Sequence, residues 1–318
     1  MGALYVNNNR NKRAVALDVK SDSGKEVLTR LIRRSDVLLH NMRPAAAQRL
    51  GVAFEAAAAI NPRLIYCSAV GFGQRGRYRG RPAFDDVIQA AAGVAGISER
   101  DGEAPRFIPT ILADKVGALH AVYGILAALV ARAHGTEGAL RVEVPMFETL
   151  ASFILNEHLA GATFDAGGRV GYSRVLSPDR RPYRTRDGWI YLMCNKEKFW
   201  PALCEKLGRR EWIEDARFRR FAERLQHRDL LTELLDAELA RRTTDEWLAH
   251  FAGAVPAAPI YDLAQALENP FVTEHGRLQT LAHPTAGPYR MVAPPVRVPG
   301  EDAPARPAPA LGEHTEEI

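Results

Sequence analysis

An α/β fold with a mostly parallel sheet is what this sequence predicts, on three observations. Short apolar or alternating runs with strand character recur through the first half. A segment of helical spacing follows each of them. Gly, Pro or Asn closes most of the pairs, and strands that alternate with helices favour parallel pairing.

Taken in order, "RAVALDVKS" alternates and reads as a strand, and "SGKEVLTRLIRRS" as an amphipathic helix with Val27, Leu28, Leu31 and Ile32 inward. "DVLLHN" is a short buried strand, "AAAQRLGV" a helix ended by Gly51, and "FEAAAAINP" a helix stopped by Pro62. "RLIYCSAVGFG" is a strand running into a glycine turn; "FDDVIQAAAGVAGI" and residues 115–132 are helical. "GALRVEVPMF" adds a strand and "ETLASFILNEHLAG" a helix. After about residue 165 the texture changes to Gly, Pro and Arg, with a hairpin-like "RDGW" turn. A helical block follows ("KFWPALCEKLG", "LQHRDLLTELLDAELARR", "TTDEWLAHFAGA"), with Thr243 or Thr244 as the cap of its last helix. The proline-rich end, from "HPTAGPYRMVAPP" onward, suits an extended course along a surface. No internal repeat is evident.

Composition narrows the function classes. The 318 residues, 47% apolar and 25% charged, are ordinary for a globular chain of one large or two moderate domains. A net charge of +4 suits a phosphate-bearing ligand but is too small and dispersed for nucleic acid; the densest basic stretches are "RLIRRSD" and "QRGRYRGR". Cys67, Cys194 and Cys204 show neither metal spacing nor an even disulfide framework, so they read as reduced thiols of a cytoplasmic protein. The apolar run within 116–131 reads as too short to span a bilayer, and no signal peptide opens the chain.

Gly71-Phe72-Gly73-Gln74-Arg75-Gly76 has the GxGxxG form, but "RGRYRGRP" follows where a dinucleotide site needs a helix, so it reads as a loop near a substrate. There is no GxSxG and no HExxH, and the nine histidines are scattered. Arg49 on its own reads as a solvated side chain. Asp114 stands alone at the head of a segment that is apolar all round from Val116 to Val130, which reads as a helix packed on several sides. By residue type it is a helix N-cap. That role is compatible with a nucleophile's, because the positive end of a helix keeps a carboxylate ionised.

Five stretches in order resemble the class III CoA-transferases, the family of formyl-CoA transferase and carnitine CoA-transferase: "NKRAVALDVKSDSGKEVL", "DVLLHNMRPAAAQRLGV", "INPRLIYCSAVGFGQRG", "RPAFDDVIQAAAG" and "ADKVGALHAVYGILAALVAR". The closing "PALGEHTEEI" is similar as well. The resemblance implies a Rossmann-like large domain over 1–175, completed by 292–318, and a smaller α+β domain over 176–291. It also implies an interlocked homodimer, which the extended stretch around 165–185 and the proline-rich tail suit. Asp114 matches the nucleophile. Leu17, Asp18, Val19 and Lys20 match a segment at the nucleotide end of coenzyme A, and Asn41, Met42 and Arg43 a second contacting turn. Arg49 matches a phosphate-binding arginine. Pro82, Ala83, Phe84 and Asp85 match the stretch beside the thioester, with Asp85 as a second acid near the nucleophile.

The implied reaction moves CoA from an acyl-CoA to a carboxylic acid through aspartyl mixed-anhydride and aspartyl-CoA intermediates, with CoA thioesters as substrates and no metal. No nucleic-acid or membrane partner is implied. Two departures accompany the match. Family members begin with a further segment that supplies a strand and a phosphate-side arginine, whereas this chain starts at "MGALYVNNNRNKRAVALD". A separate chain supplies that piece, or this is a truncated version whose activity is in question. The glycine-rich lid has only "DAGGRVGY" as a candidate. The rival readings are a 2-methylacyl-CoA racemase, whose histidine would fall at Phe84, and a non-catalytic CoA-binding remnant.

Overall fold

The computed structural model describes residues 2–97, 104–165, 167–178, 180–193, 196–296 and 305–318. Cys194 lies outside the described residues. The chain divides into two compact units, Val15–Tyr172 with His314–Ile318, and Met1–Ala14 with Ser173–Glu313.

The second unit contains the first helix, α1 (Ala3–Asn8). In the first unit, α2 (Asp22–Arg34) is capped by Ser21, whose hydroxyl accepts from the Gly24 amide at 3.1 Å. Next come β1 (Val37–His40), α3 (Pro44–Arg49), α4 (Phe54–Ile60) and β2 (Ile65–Val70). The "FDDVIQAAAGVAGI" segment breaks at Gly93 into α5 (Asp85–Ala91) and α6 (Val94–Ile97). Helix α7 (Leu112–Ala133), β3 (Leu140–Pro145) and α8 (Met146–His158) complete the set.

The sheet has the order β1-β2-β3 and is parallel throughout, with Leu39 opposite Cys67 and Cys67 opposite Val142. Central β2 is buried along almost its whole length, as "IYCSAV" requires of a strand covered on both faces. Edge strand β1 is only half buried, with Leu39 exposed, and so falls short of the buried strand its sequence predicts.

Two further expectations for this unit change. "RAVALDVKS" forms no strand: the Ala16 amide donates to Thr315 Oγ1 at 3.0 Å, a side-chain acceptor in place of a ladder. Helix α7 is not enclosed. Val116, Gly117, Ala121 and Ala128 pack inward, while Leu119, Val122, Tyr123, Leu126 and Val130 are exposed. Its 22 residues are long and apolar enough to cross a membrane by length and composition, contrary to the shorter run read from the sequence.

In the second unit, β4 (Tyr183–Arg184), β5 (Trp189–Leu192) and β6 (Ala257–Pro259) pair antiparallel, with the expected turn between β4 and β5. Thr243 and Glu246 form the capping box that "TTDEW" announces. The core is aromatic: Trp200, Trp212, Phe218, Trp247 and Phe251 are all buried. The end of the chain is more ordered than its prolines suggest, since β7 (Leu278–His283) and β8 (Gly287–Val292) make a hairpin with Met291 buried.

Residues 1–14 and 292–313 group with this unit, whereas the resemblance implies that they complete the large domain. The reason is local pairing. Asn11 exchanges two hydrogen bonds with the Arg306 backbone, Tyr5 Oη donates to Pro309 O at 3.0 Å, and Arg10 reaches Val292 O.

Candidate active site

The three parallel strands end on one side of a cavity of about 610 Å³. Asn41, Met42, Arg43 and Pro44 come from the end of β1, Ala69 to Phe72 from the end of β2, and Met146 from the end of β3. Open parallel sheets bind ligands beyond the carboxyl ends of their strands, and this cavity lies there. Its remaining wall is Gln74, the 80–85 stretch and Asp114. The expected residues Asn41, Met42, Arg43, Pro82, Ala83, Phe84, Asp85 and Asp114 are thereby brought together.

Leu17, Asp18, Val19, Lys20 and Arg49 do not line this cavity. The first four form a turn into α2, in which Asp18 Oδ1 accepts from the Lys20 amide at 3.0 Å and Asp18 O from the Ser21 hydroxyl at 2.7 Å. Arg49 is exposed at the far end of α3. The cavity's cations are Arg43 and Arg81, the latter stacked 4.7 Å over the Tyr78 ring.

The glycine stretch is a loop, as expected. Its amides are already taken: Gly73 donates to Glu148 Oε1 and Gln74 to Glu143 Oε1, each at 2.9 Å. A phosphate finds no cradle at those two groups. A Cβ at Gly71 would overlap that of Ala83, and one at Gly73 would overlap the Glu148 carboxylate, so close approach accounts for both glycines.

Asp114 occupies the third position of α7, and the N-cap is Ile111 without a side-chain bond. The cap expected of Asp114 is supplied by another residue. Asp85, buried at the start of α5, accepts the Asp114 amide on Oδ1 at 3.1 Å. Its negative charge lies at the positive end of the helix, where it is favoured.

The Asp114 side chain is exposed toward the cavity and makes no cap of its own. Partial burial raises its pKa, and the charge of Asp85 beside it raises it further. The sequence reading has the helix end favouring the ionised form; desolvation and Asp85 outweigh that effect.

Two supporting residues escape the sequence reading. Gln89 is fully buried and donates to Asp85 Oδ2 at 2.7 Å. Its signal was the Asp-to-Gln spacing of four on one helix face. His40 accepts the Met42 amide on Nδ1 at 3.1 Å, which leaves Nε2 to donate to Tyr66 Oη at 2.7 Å and fixes the 41–43 turn. Burial lowers the His40 pKa, so the neutral ring these bonds need is favoured. Nothing in the sequence distinguished His40 from the other histidines. Among the described residues, no group of three or more His, Cys, Asp or Glu is placed to hold a metal ion.

Residues 1–315 match CoA-transferase family III. The chain belongs to that family. Family members act on acyl-CoA thioesters and carboxylates. The chain is 32% identical over 311 residues to acetyl-CoA:oxalate CoA-transferase of Acetobacter aceti, covering 96% of this chain and 78% of that protein. It is 27% identical over 319 residues to succinyl-CoA:glutarate CoA-transferase of Homo sapiens, covering 99% and 72%. Its mixed α/β fold with a parallel sheet matches the crystal structure of a CAIB/BAIF family protein from Brucella suis, at a TM-score of 0.84 and 26% identity over 99% of this chain and 83% of that one.

Proposed function

We propose that this family III protein is an acyl-CoA:carboxylate CoA-transferase with Asp114 as its nucleophile. One observation carries the reading: a solvent-reachable carboxylate lies in a cavity at the ends of the parallel strands whose lining also includes two arginines, Arg43 and Arg81. The ionised Asp114 attacks the thioester carbonyl, and CoA leaves as its thiolate while a mixed anhydride forms. The thiolate attacks the aspartyl carbonyl, releasing the first carboxylate and leaving an aspartyl-CoA thioester. The acceptor carboxylate attacks that thioester, and the returning thiolate takes the new acyl group and frees Asp114. Charge and atoms balance without an external proton or oxidant.

The cationic lining suits both the thiolate and the carboxylates. Residues 82–84 beside the nucleophile suit the thioester, and the turn 41–43 suits the body of CoA. Leu17 to Lys20 and Arg49 remain candidates for its nucleotide end, away from the cavity. The racemase alternative has Phe84, an exposed phenylalanine without a titratable group, where its base would be.

We place the protein in the cytoplasm as a homodimer. The exposed apolar stripe of α7 supports the dimer, because a contiguous apolar surface of that kind marks an interaction site. The direct test is a screen of acyl-CoA donors, including acetyl-, formyl- and succinyl-CoA, against mono- and dicarboxylic acids. Acceptor-dependent formation of a new thioester is expected. Simple hydrolysis, or CoA binding with no turnover of any pair, would contradict the reading.

A further inference from the structure

We propose that Gln89 is a positioning residue for the Asp114 nucleophile: its buried amide locks Asp85 and the 108–110 backbone into one frame that sets how α7 presents Asp114. The inference rests on the transferase reading above. Gln89 has no exposed surface, and every polar atom of its side chain is engaged. Oε1 accepts the Ile108 amide at 3.0 Å. Nε2 faces Asp85 Oδ2 at 2.7 Å, Thr110 O at 3.0 Å and Ile108 O at 3.3 Å. The Ile108 bond fixes the orientation of the amide, because a flipped Gln89 would aim its NH₂ at an N–H donor. The nitrogen must then meet an acceptor on α5, and Asp85 is that acceptor.

With Oδ2 held, Asp85 keeps Oδ1 on the Asp114 amide. Helix α7 therefore starts from a backbone pinned on both sides of Ile111 by one pair of side chains. Gln89 lies outside the cavity lining and touches no substrate space, so its effect reaches Asp114 only through Asp85 and this backbone. The charged groups lining the cavity are Arg43, Arg81, Asp85 and Asp114, while Lys115 is turned to Thr110 Oγ1 at 2.8 Å. None of these pairs with Gln89 except Asp85.

The test compares Gln89→Leu and Gln89→Glu with the wild type over pH. Displacing a nucleophile by about 1 Å costs about 10²-fold in rate. Gln89→Leu is therefore expected to lower kcat about 10²-fold, with the dissociation constant for CoA unchanged. Gln89→Glu can reproduce the frame only when protonated, with its O–H on Asp85 and its C=O accepting from Ile108. Its kcat relative to wild type should fall as pH rises and the new carboxyl ionises beside Asp85. A residue that merely fills the core would give a pH-independent ratio, and that result overturns the proposal.

Should Gln89→Leu fail to fold, the Gln89→Glu ratio decides alone. Should the wild type turn over no donor and acceptor pair, the transferase reading fails and the frame is read by ¹³C titration of the Asp114 carboxyl. Releasing Asp85 in Gln89→Glu is then expected to move the Asp114 midpoint; an unmoved midpoint overturns the inference independently of activity.

Discussion

The two units handle apolar surface in opposite ways. The second closes its core on itself: Trp200, Phe218 and Phe251 have almost no exposed surface, and Trp247 stacks on Phe251 with ring centroids 5.0 Å apart. The first packs α7 on its sheet by small residues and leaves the larger ones outside, with Leu119 at 68% exposure. It also carries the cavity with Asp114. A closed core contributes stability, whereas open apolar and charged surface is where substrate or partner chemistry is found.

Substitutions that break this contrast rank by size. Asp114→Asn should lower transferase turnover by several orders of magnitude, because an amide cannot form the anhydride. It should not destabilise the protein. A carboxyl whose folded pKa is raised favours the folded state when protonated, and that contribution is lost as pH rises through the folded value. At neutral pH the ionised group is a cost that Asn removes, so thermal melts should show an equal or higher Tm. The same shift puts the acid limb of kcat above the ordinary aspartate value of about 3.9.

Phe251→Ala should reverse the pattern, costing about 3–5 kcal/mol in denaturant unfolding through the cavity it leaves in a closed core. Calorimetric titration of CoA should show Arg43→Ala weakening binding by about 1.5–3 kcal/mol, as expected for a charge-assisted contact. Arg49→Ala, outside the cavity, should have a smaller effect; an equal or larger one would make Arg49 the principal contact of the nucleotide end. Leu126→Lys, on the bare stripe of α7, should change folding stability by no more than about 0.5 kcal/mol. Light scattering should nonetheless show its mass falling to that of one chain. An unaltered dimer would move the interface elsewhere.

What the sequence revealed depended on the range of the signals. Local ones read correctly: Gly51 after α3, a threonine cap at 243 or 244 with an acid in the first turn, the turn between β4 and β5, and the alternation of strands and helices from β1 to α8. Remote partners did not. "RAVALDVKS" has strand composition, but the Ala16 amide finds its acceptor 299 positions away in Thr315. The prolines around β8 concealed a strand because its pairing with β7 places Pro288 opposite Ala282 at one end of the ladder.

The site was legible as separate stretches. That the 41–43 turn, the 82–85 stretch and Asp114 meet at the ends of three strands required the fold. The exchange of roles between the two aspartates was hidden for a similar reason: Asp85 and Asp114 are 29 positions apart, and only packing makes one the cap of the other's helix. Among the described residues, no hydrogen bond ties down the Asp114 side chain.

Trapping of the acyl-enzyme tests the central claim most directly. Wild-type protein incubated with an acyl-CoA donor and hydroxylamine, then digested and analysed by mass spectrometry, should carry a hydroxamate on Asp114 and lose it when CoA replaces acyl-CoA. A hydroxamate on Asp85 or Glu148, or full transferase activity in Asp114→Asn, would contradict the assignment of Asp114 as the nucleophile.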